Sequence, residues 1–209
     1  MSIKLVVFDL DGTLLDTSEG IISAVNHTIK RNGLKELDKK ELLSFIGPPI
    51  QDSFKRTYGL NDREVQKLAE QFRERYKNHD LLKAKPYEDI YCLMDDLVAN
   101  GYKIAVATYK REDYALDILR HFDFDKYAVV MHGADGLNVL KKKDIIKMCI
   151  KETGISRDDT VYIGDTKSDR DAALEAGTEF IGVNYGFGFK KVDGYADKPM
   201  DLSAIVRSL

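Results

Sequence analysis

Four carboxylates, one threonine and a run of lysines stand where this chain could do chemistry. Asp9 and Asp11 follow the apolar run Leu5-Val6-Val7-Phe8 and are followed at once by Gly12 and Thr13. Asp165 and Asp169 follow a second such run, Thr160-Val161-Tyr162-Ile163-Gly164. In extended chain, side chains two apart point the same way, so Asp9 and Asp11 can address one reaction centre. Acids are costly inside a buried strand. Both pairs therefore belong where strands leave a sheet, the edge at which open α/β folds bind ligands. Taken alone, Asp-x-Asp is satisfied by solvated acids before a turn, and Asp169 by a favourable place in the first turn of a helix. Acids from separate strand ends that met on one edge would repel one another unless a hard cation lay between them. An all-oxygen donor set of this kind suits magnesium.

A third run, Lys103-Ile104-Ala105-Val106-Ala107, ends in Thr108. Its hydroxyl can cap nearby backbone or hydrogen-bond a ligand. Lys141, Lys142 and Lys143 precede an amphipathic stretch with Ile145, Ile146, Cys149 and Ile150. Cations at a helix N-terminus oppose its dipole, so one of the three is expected to face an anion while the others are solvated.

These residues require a scaffold that brings strand ends together. The short continuous apolar runs read as strands buried on both faces of a parallel sheet. From Pro86 onward, helical and strand patterns alternate, with strands expected at 102–108, 128–132, 160–164 and 180–183. Helices are expected between them, at 87–100, 112–122, 144–153 and 168–176. Such alternation implies a parallel, doubly wound sheet with right-handed crossovers. Residues 16–83 differ. Ser18 is expected to cap a helix to Arg31, Asp38 with Glu41 makes a capping-box-like start for the next, Asn61 with Glu64 opens a longer one toward Asn78, and Gly47-Pro48-Pro49 and Gly59 punctuate the helices. The expected architecture is thus a Rossmann-like core, residues 1–15 and 84–209, with a small α-helical cap, residues 16–83, inserted after the first strand.

Composition narrows the class. At 209 residues with 44% hydrophobic and 32% charged content, the chain suits a globular protein of one domain plus an insertion. A formal charge of −3 without a basic block argues against nucleic acid as partner. No apolar stretch approaches the ~20 residues of a membrane helix, and no signal-peptide pattern is present. Cys92 and Cys149 have no paired spacing that would suggest a disulfide or zinc site. A cytoplasmic location is expected.

The string Asp9-Leu10-Asp11-Gly12-Thr13 after its apolar strand resembles the first motif of the haloacid-dehalogenase-like hydrolases. Thr108 matches the second motif, and Gly164-Asp165-Thr166-Lys167-Ser168-Asp169 resembles the Gly-Asp-x-x-x-Asp motif. Asn184-Tyr185-Gly186-Phe187-Gly188 is similar to the glycine-bearing loop after the fifth strand. The family's lysine falls on Lys142, through Lys142-Lys143-Asp144-Ile145-Ile146. The resemblance implies a magnesium-dependent phosphatase of the phosphoglycolate-phosphatase-like group. It implies Asp9 as nucleophile and Asp11 as general acid/base, with Thr108 and Lys142 on the phosphoryl oxygens. Magnesium would be held by Asp9, the Asp11 backbone carbonyl and Asp165, with Asp169 acting through water or through Lys142. Tyr109 and the absent Lys-Pro-x-Pro form depart from the common pattern. The substrate would be a small phosphorylated metabolite, and the oligomeric state, monomer or homodimer, is left open. A phosphomutase of the same family and a non-enzymatic phospho-aspartate switch are the alternatives. Receiver domains of the latter kind lack a helical insert after the first strand and are roughly half this length.

Overall fold

The computed structural model describes residues 2–136 and 139–209. The chain divides into two compact units, one comprising residues 1–16 and 86–209 and the other residues 17–85. In chain order the first unit begins with β1 (Leu5–Phe8) and the two-residue β2 (Leu15–Asp16). The second unit holds α1 (Ser18–Arg31), α2 (Lys39–Leu43), α3 (Ile50–Tyr58) and α4 (Asp62–Arg75), extended by a π-helical turn at Tyr76–Asp80. The chain returns through β3 (Lys85–Pro86) to α5 (Ile90–Ala99), β4 (Lys103–Arg111), α6 (Glu112–His121) and β5 (Ala128–Ala134). It ends with α7 (Lys142–Thr153), β6 (Thr160–Gly164), α8 (Lys167–Ala176), β7 (Glu179–Gly182) and α9 (Asp201–Arg207).

Among the described residues the first unit holds a five-stranded sheet in the order β5-β4-β1-β6-β7, with each of its pairings parallel. All four residues of β1 are fully buried, as a central parallel strand must be. One face of the sheet packs Leu5, Val7, Ala105 and Tyr162 against Ile145, Ile146 and Cys149 of α7 and Ala172 and Ala173 of α8. The chain steps from β1 outward through β4 to β5, then crosses to β6 on the other flank of β1. Strand order therefore reverses between β1 and β6, the place at which open α/β sheets bind ligands.

The second unit is helical, with Ile21, Val25, Ile29, Phe54, Val65, Leu68 and Phe72 in its interior. Both capping boxes form, Asp38 with Glu41 and Asn61 with Glu64. Asp80 is fully buried there and would be costly alone. Arg75 and Lys83 each approach it at 2.7 Å, and the Ser23 hydroxyl donates to it at 3.0 Å.

Several local expectations are corrected. Ser18 does not cap α1 but is its first residue, with Thr17 in the cap position. Helix α5 starts at Ile90 rather than Tyr87, because Asp89 adopts a left-handed conformation at φ 60°. β4 runs past Thr108 to Arg111, with a register shift against β5 after Ala107. The sequence reading lacked α9, which is anchored to α5 by Arg207 and Ser203, each 2.6 Å from Asp96 Oδ2.

Candidate active site

The sheet's register delivers the acids. Phe8 lies level with Val106 on one side and Ile163 on the other, and the Asp9 N–H donates to the Ile163 carbonyl at 2.9 Å. Asp9 is therefore the first residue past the ladder, beside the end of β6, from which Asp165 and then α8 with Asp169 follow. One carboxylate oxygen from each of Asp9, Asp165 and Asp169 lies within 4.8 Å of the others, and all three residues are buried. Lys142, the first residue of α7, completes the cluster. Its ammonium is 3.0 Å from Asp9 Oδ1 and also pairs with Asp169 Oδ1. Among the described residues no donor is aligned on Asp9 Oδ1 for a hydrogen bond, so that contact is an ion pair of proximity. The Lys142 ammonium also sits 5.9 Å above the Tyr162 ring, whose hydroxyl is fixed to the Ala107 carbonyl at 2.7 Å.

The remaining oxygens divide cleanly. Asp169 Oδ2 accepts from the Thr166 N–H at 2.9 Å and the Thr166 hydroxyl at 2.6 Å, the capping box of α8. Asp165 Oδ2 accepts from the Phe187 N–H at 2.6 Å and the Gly188 N–H at 3.1 Å. Asp165 Oδ1 is buried with no partner among the described residues. Two glycines allow the chain to close this tightly. Gly12 has φ +84°, and a Cβ there would fall 2.4 Å from Asp165 Oδ2; a Cβ on Gly186 would fall 2.4 Å from both Asp165 Cβ and the Gly12 carbonyl.

Asp11 and Thr108 lie on the β4 side. Thr108 is 1% exposed, and its hydroxyl oxygen accepts from the Lys110 N–H at 3.2 Å, leaving its proton to donate. The Lys110 ammonium is 3.0 Å from Asp11 Oδ1, both side chains being almost completely buried. Lys141 and Lys143 lie outside the cluster. Lys143 pairs with Glu175 at 2.7 Å on the surface, and Lys141 occupies the N-cap of α7.

Electrostatics follow from this crowding. Burial pushes the Asp9 carboxyl up to about 7; Lys142 pulls it down, while Asp169, Asp11 and Asp165 push it up further. Burial, and then Asp169, push Asp165 up to about 6 against the two backbone donors. Burial alone would lower the Lys142 ammonium, but Asp169 and Asp9 outweigh it and hold it above its ordinary value. The cluster holds more negative charge than one lysine balances.

Residues 6–183 match the model of the haloacid dehalogenase-like hydrolase family. The chain belongs to the haloacid dehalogenase-like hydrolases. Among curated relatives, a 5'-nucleotidase of Pseudomonas aeruginosa is 35% identical over 88% of this chain and 83% of its own length. The pyrophosphatase PpaX of Halalkalibacterium halodurans is 32% identical over 88% and 85%. A phosphoglycolate phosphatase of Agrobacterium fabrum is 30% identical over 94% and 83%. The crystal structure of a predicted phosphatase from Clostridium acetobutylicum superposes with a TM-score of 0.92 at 29% identity, each chain covered completely. This hydrolase is accordingly a phosphatase.

Within the family site, the sequence reading of this hydrolase missed Lys110. The signal lay two residues past Thr108, but a lysine following a strand ordinarily reads as solvated. Among the described residues, no helix of the hydrolase is long and apolar enough to cross a membrane.

Proposed function

We propose that this phosphatase hydrolyses a small phosphate monoester through an aspartyl phosphate on Asp9, with magnesium as cofactor. The observation that carries the reading is the meeting of Lys142, Asp9 and Asp169 with an unpartnered oxygen of Asp165 at the reversal of strand order. Buried oxygens alone, two of them on carboxyls pushed upward, fit a hard divalent cation. Asp9, the Asp11 backbone carbonyl and Asp165 would hold it. Asp169, both of whose oxygens are engaged, would act through Lys142 or through water. When bound, magnesium would screen Asp9 from the substrate dianion and stabilise charge on the equatorial oxygens.

A carboxylate oxygen of Asp9 attacks phosphorus in line as the bond to the leaving oxygen breaks, and Asp11 donates its proton to that oxygen. Asp11, now a carboxylate, takes a proton from the attacking water. The resulting hydroxyl bonds to phosphorus, the Asp9–phosphorus bond breaks, and inorganic phosphate leaves. The Thr108 hydroxyl and the Lys142 ammonium hold phosphoryl oxygens through both steps.

Relatives named for a nucleotidase, a pyrophosphatase and a phosphoglycolate phosphatase support a small phosphorylated metabolite as substrate. Residues 17–85, inserted directly after the acids of β1, are read as the cap that selects the leaving group. Two free thiols, Cys92 and Cys149, suit a reducing cytoplasm.

The test is phosphate release from p-nitrophenyl phosphate with magnesium and with chelator, followed by acid quenching and peptide mass analysis. A phosphoryl group on the Asp9 peptide is expected, accumulating in Asp11→Asn. Turnover unaffected by chelation, or a phosphoryl group on any other residue, would refute the reading.

A further inference from the structure

We infer that the cavity at the starts of α7 and α8 binds a phosphoryl group at a second site, beside the catalytic cluster and separate from it. The cavity measures about 600 Å³, and Tyr109, Lys141, Lys142, Lys143 and Lys167 are among the residues that line it. A volume of this size suits a small organic ligand. Lys142 is the residue that the cavity shares with the cluster, where its ammonium pairs with Asp9 and Asp169. Tyr109, next to Thr108, packs against the core and gives the cavity an aromatic wall.

The charges of the lining do not cancel. Its two acids are already engaged: Glu175 pairs with Lys143 at 2.7 Å, and Asp171 lies 3.8 Å from Arg170. Among the described residues, neither Lys141 nor Lys167 has a carboxylate partner. Lys141 is the N-cap of α7 and Lys167 the first residue of α8, and a cation in either place opposes the helix dipole. An anion bound in the cavity relieves both. A dianion such as a phosphoryl group balances the two ammonium charges together, which a single carboxylate does not. The Ser168 hydroxyl, also in the lining, adds a donor suited to a phosphoryl oxygen.

The test uses the full chain with its metal removed by chelator, because the surplus negative charge of the catalytic cluster then repels a dianion. Inorganic phosphate is titrated calorimetrically at pH 8 and about 0.15 M salt into wild type, Lys141→Gln, Lys167→Gln and the double variant. Lys151→Gln, in the last turn of α7, is the control. One saturable phosphate per chain is expected. Each single substitution should weaken it roughly fivefold, the double variant should lose it, and Lys151→Gln should leave it unchanged. No binding, binding without saturation, or undiminished affinity in the double variant would overturn the inference. None of these outcomes depends on Asp9 being the nucleophile, so this site and the proposed reaction stand or fall separately. The source of the phosphoryl group is read with magnesium present, from KM on alkanediol bisphosphates and the matching monophosphates. If a substrate supplies it as a second group, the double variant raises KM for the bisphosphates alone. If a separate phosphate supplies it, both KM values stay near wild type, and inhibition by added phosphate loses its non-competitive part in the double variant. Either pattern supports the site.

Discussion

Replacing Lys142 by methionine removes the cation that two buried carboxylates share. Its side chain is 11% exposed, against 6% for Asp9 and 0% for Asp169, and the Asp9 contact is 3.0 Å. One charge pair at that separation is worth about 5 kcal/mol at an effective dielectric of about 20. Removing one partner of a buried pair costs about 3–5 kcal/mol. Protonation limits the loss. The folded Asp9 carboxyl sits at about 7, above its ordinary 3.8, with Lys142 pulling it down. A raised carboxyl contributes stability that is complete at low pH and disappears as pH rises through the folded value. Without Lys142 that value moves higher still, so Asp9 stays protonated to higher pH and the missing cation is felt above 7. The penalty of Lys142→Met in metal-free buffer should therefore be smaller at pH 5.5 and approach about 3–5 kcal/mol at pH 8.5. Urea unfolding at the two pH values measures it, with Lys141→Met and Lys143→Met as controls. The surface pair of Lys143 with Glu175 is worth about 0.2–1 kcal/mol, with little pH dependence in this range. Equal penalties for Lys142→Met at both pH values, or a Lys143→Met penalty as large, would refute the reasoning. Turnover should fall steeply in Lys142→Met alone.

Asp9→Asn should abolish phosphate release while leaving the metal-free protein at pH 8 at least as stable as wild type, since a crowded buried charge is removed; activity at a tenth of wild type would contradict this. Magnesium must displace protons from carboxyls near 7 and near 6, so its affinity should tighten between pH 5.5 and 7.5. Calorimetry in buffers of different ionisation enthalpy should register proton release across that range. Gly186→Ala forces a Cβ to within 2.4 Å of the Asp165 Cβ and the Gly12 carbonyl, and should raise the magnesium needed for half-maximal activity more than it changes KM for substrate. Replacing Pro48 and Pro49 should change the ranking of substrates without changing the magnesium requirement, because no proposed metal ligand lies in residues 17–85. A shifted magnesium requirement would count against that division of labour.

Local physics made much of this protein legible in its sequence. An apolar run such as Leu5–Phe8 cannot tolerate Asp9 within it, so the end of the strand and the start of chemistry coincide in one line of residues. Capping boxes at Asp38 and Asn61 are similarly local, each closed by a glutamate three residues on. Alternation of strand and helix after Pro86 specified a parallel sheet, because parallel strands need crossovers. What local pattern could not specify was which strand ends would be neighbours. That was decided by the reversal of order between β1 and β6, which places Asp165 and Asp169 against Asp9 across more than 150 residues. The partition of the lysines was decided in the same way. Lys142 differs from Lys141 and Lys143 only because α7 docks its first turn against Tyr162 and the end of β1. Lys110 reaches Asp11 only because β4 continues beyond Thr108 through a register shift that no periodicity announces. Pairings between charges far apart in the chain depend on the packing that removes water from between them, and that packing exists only in the folded sheet.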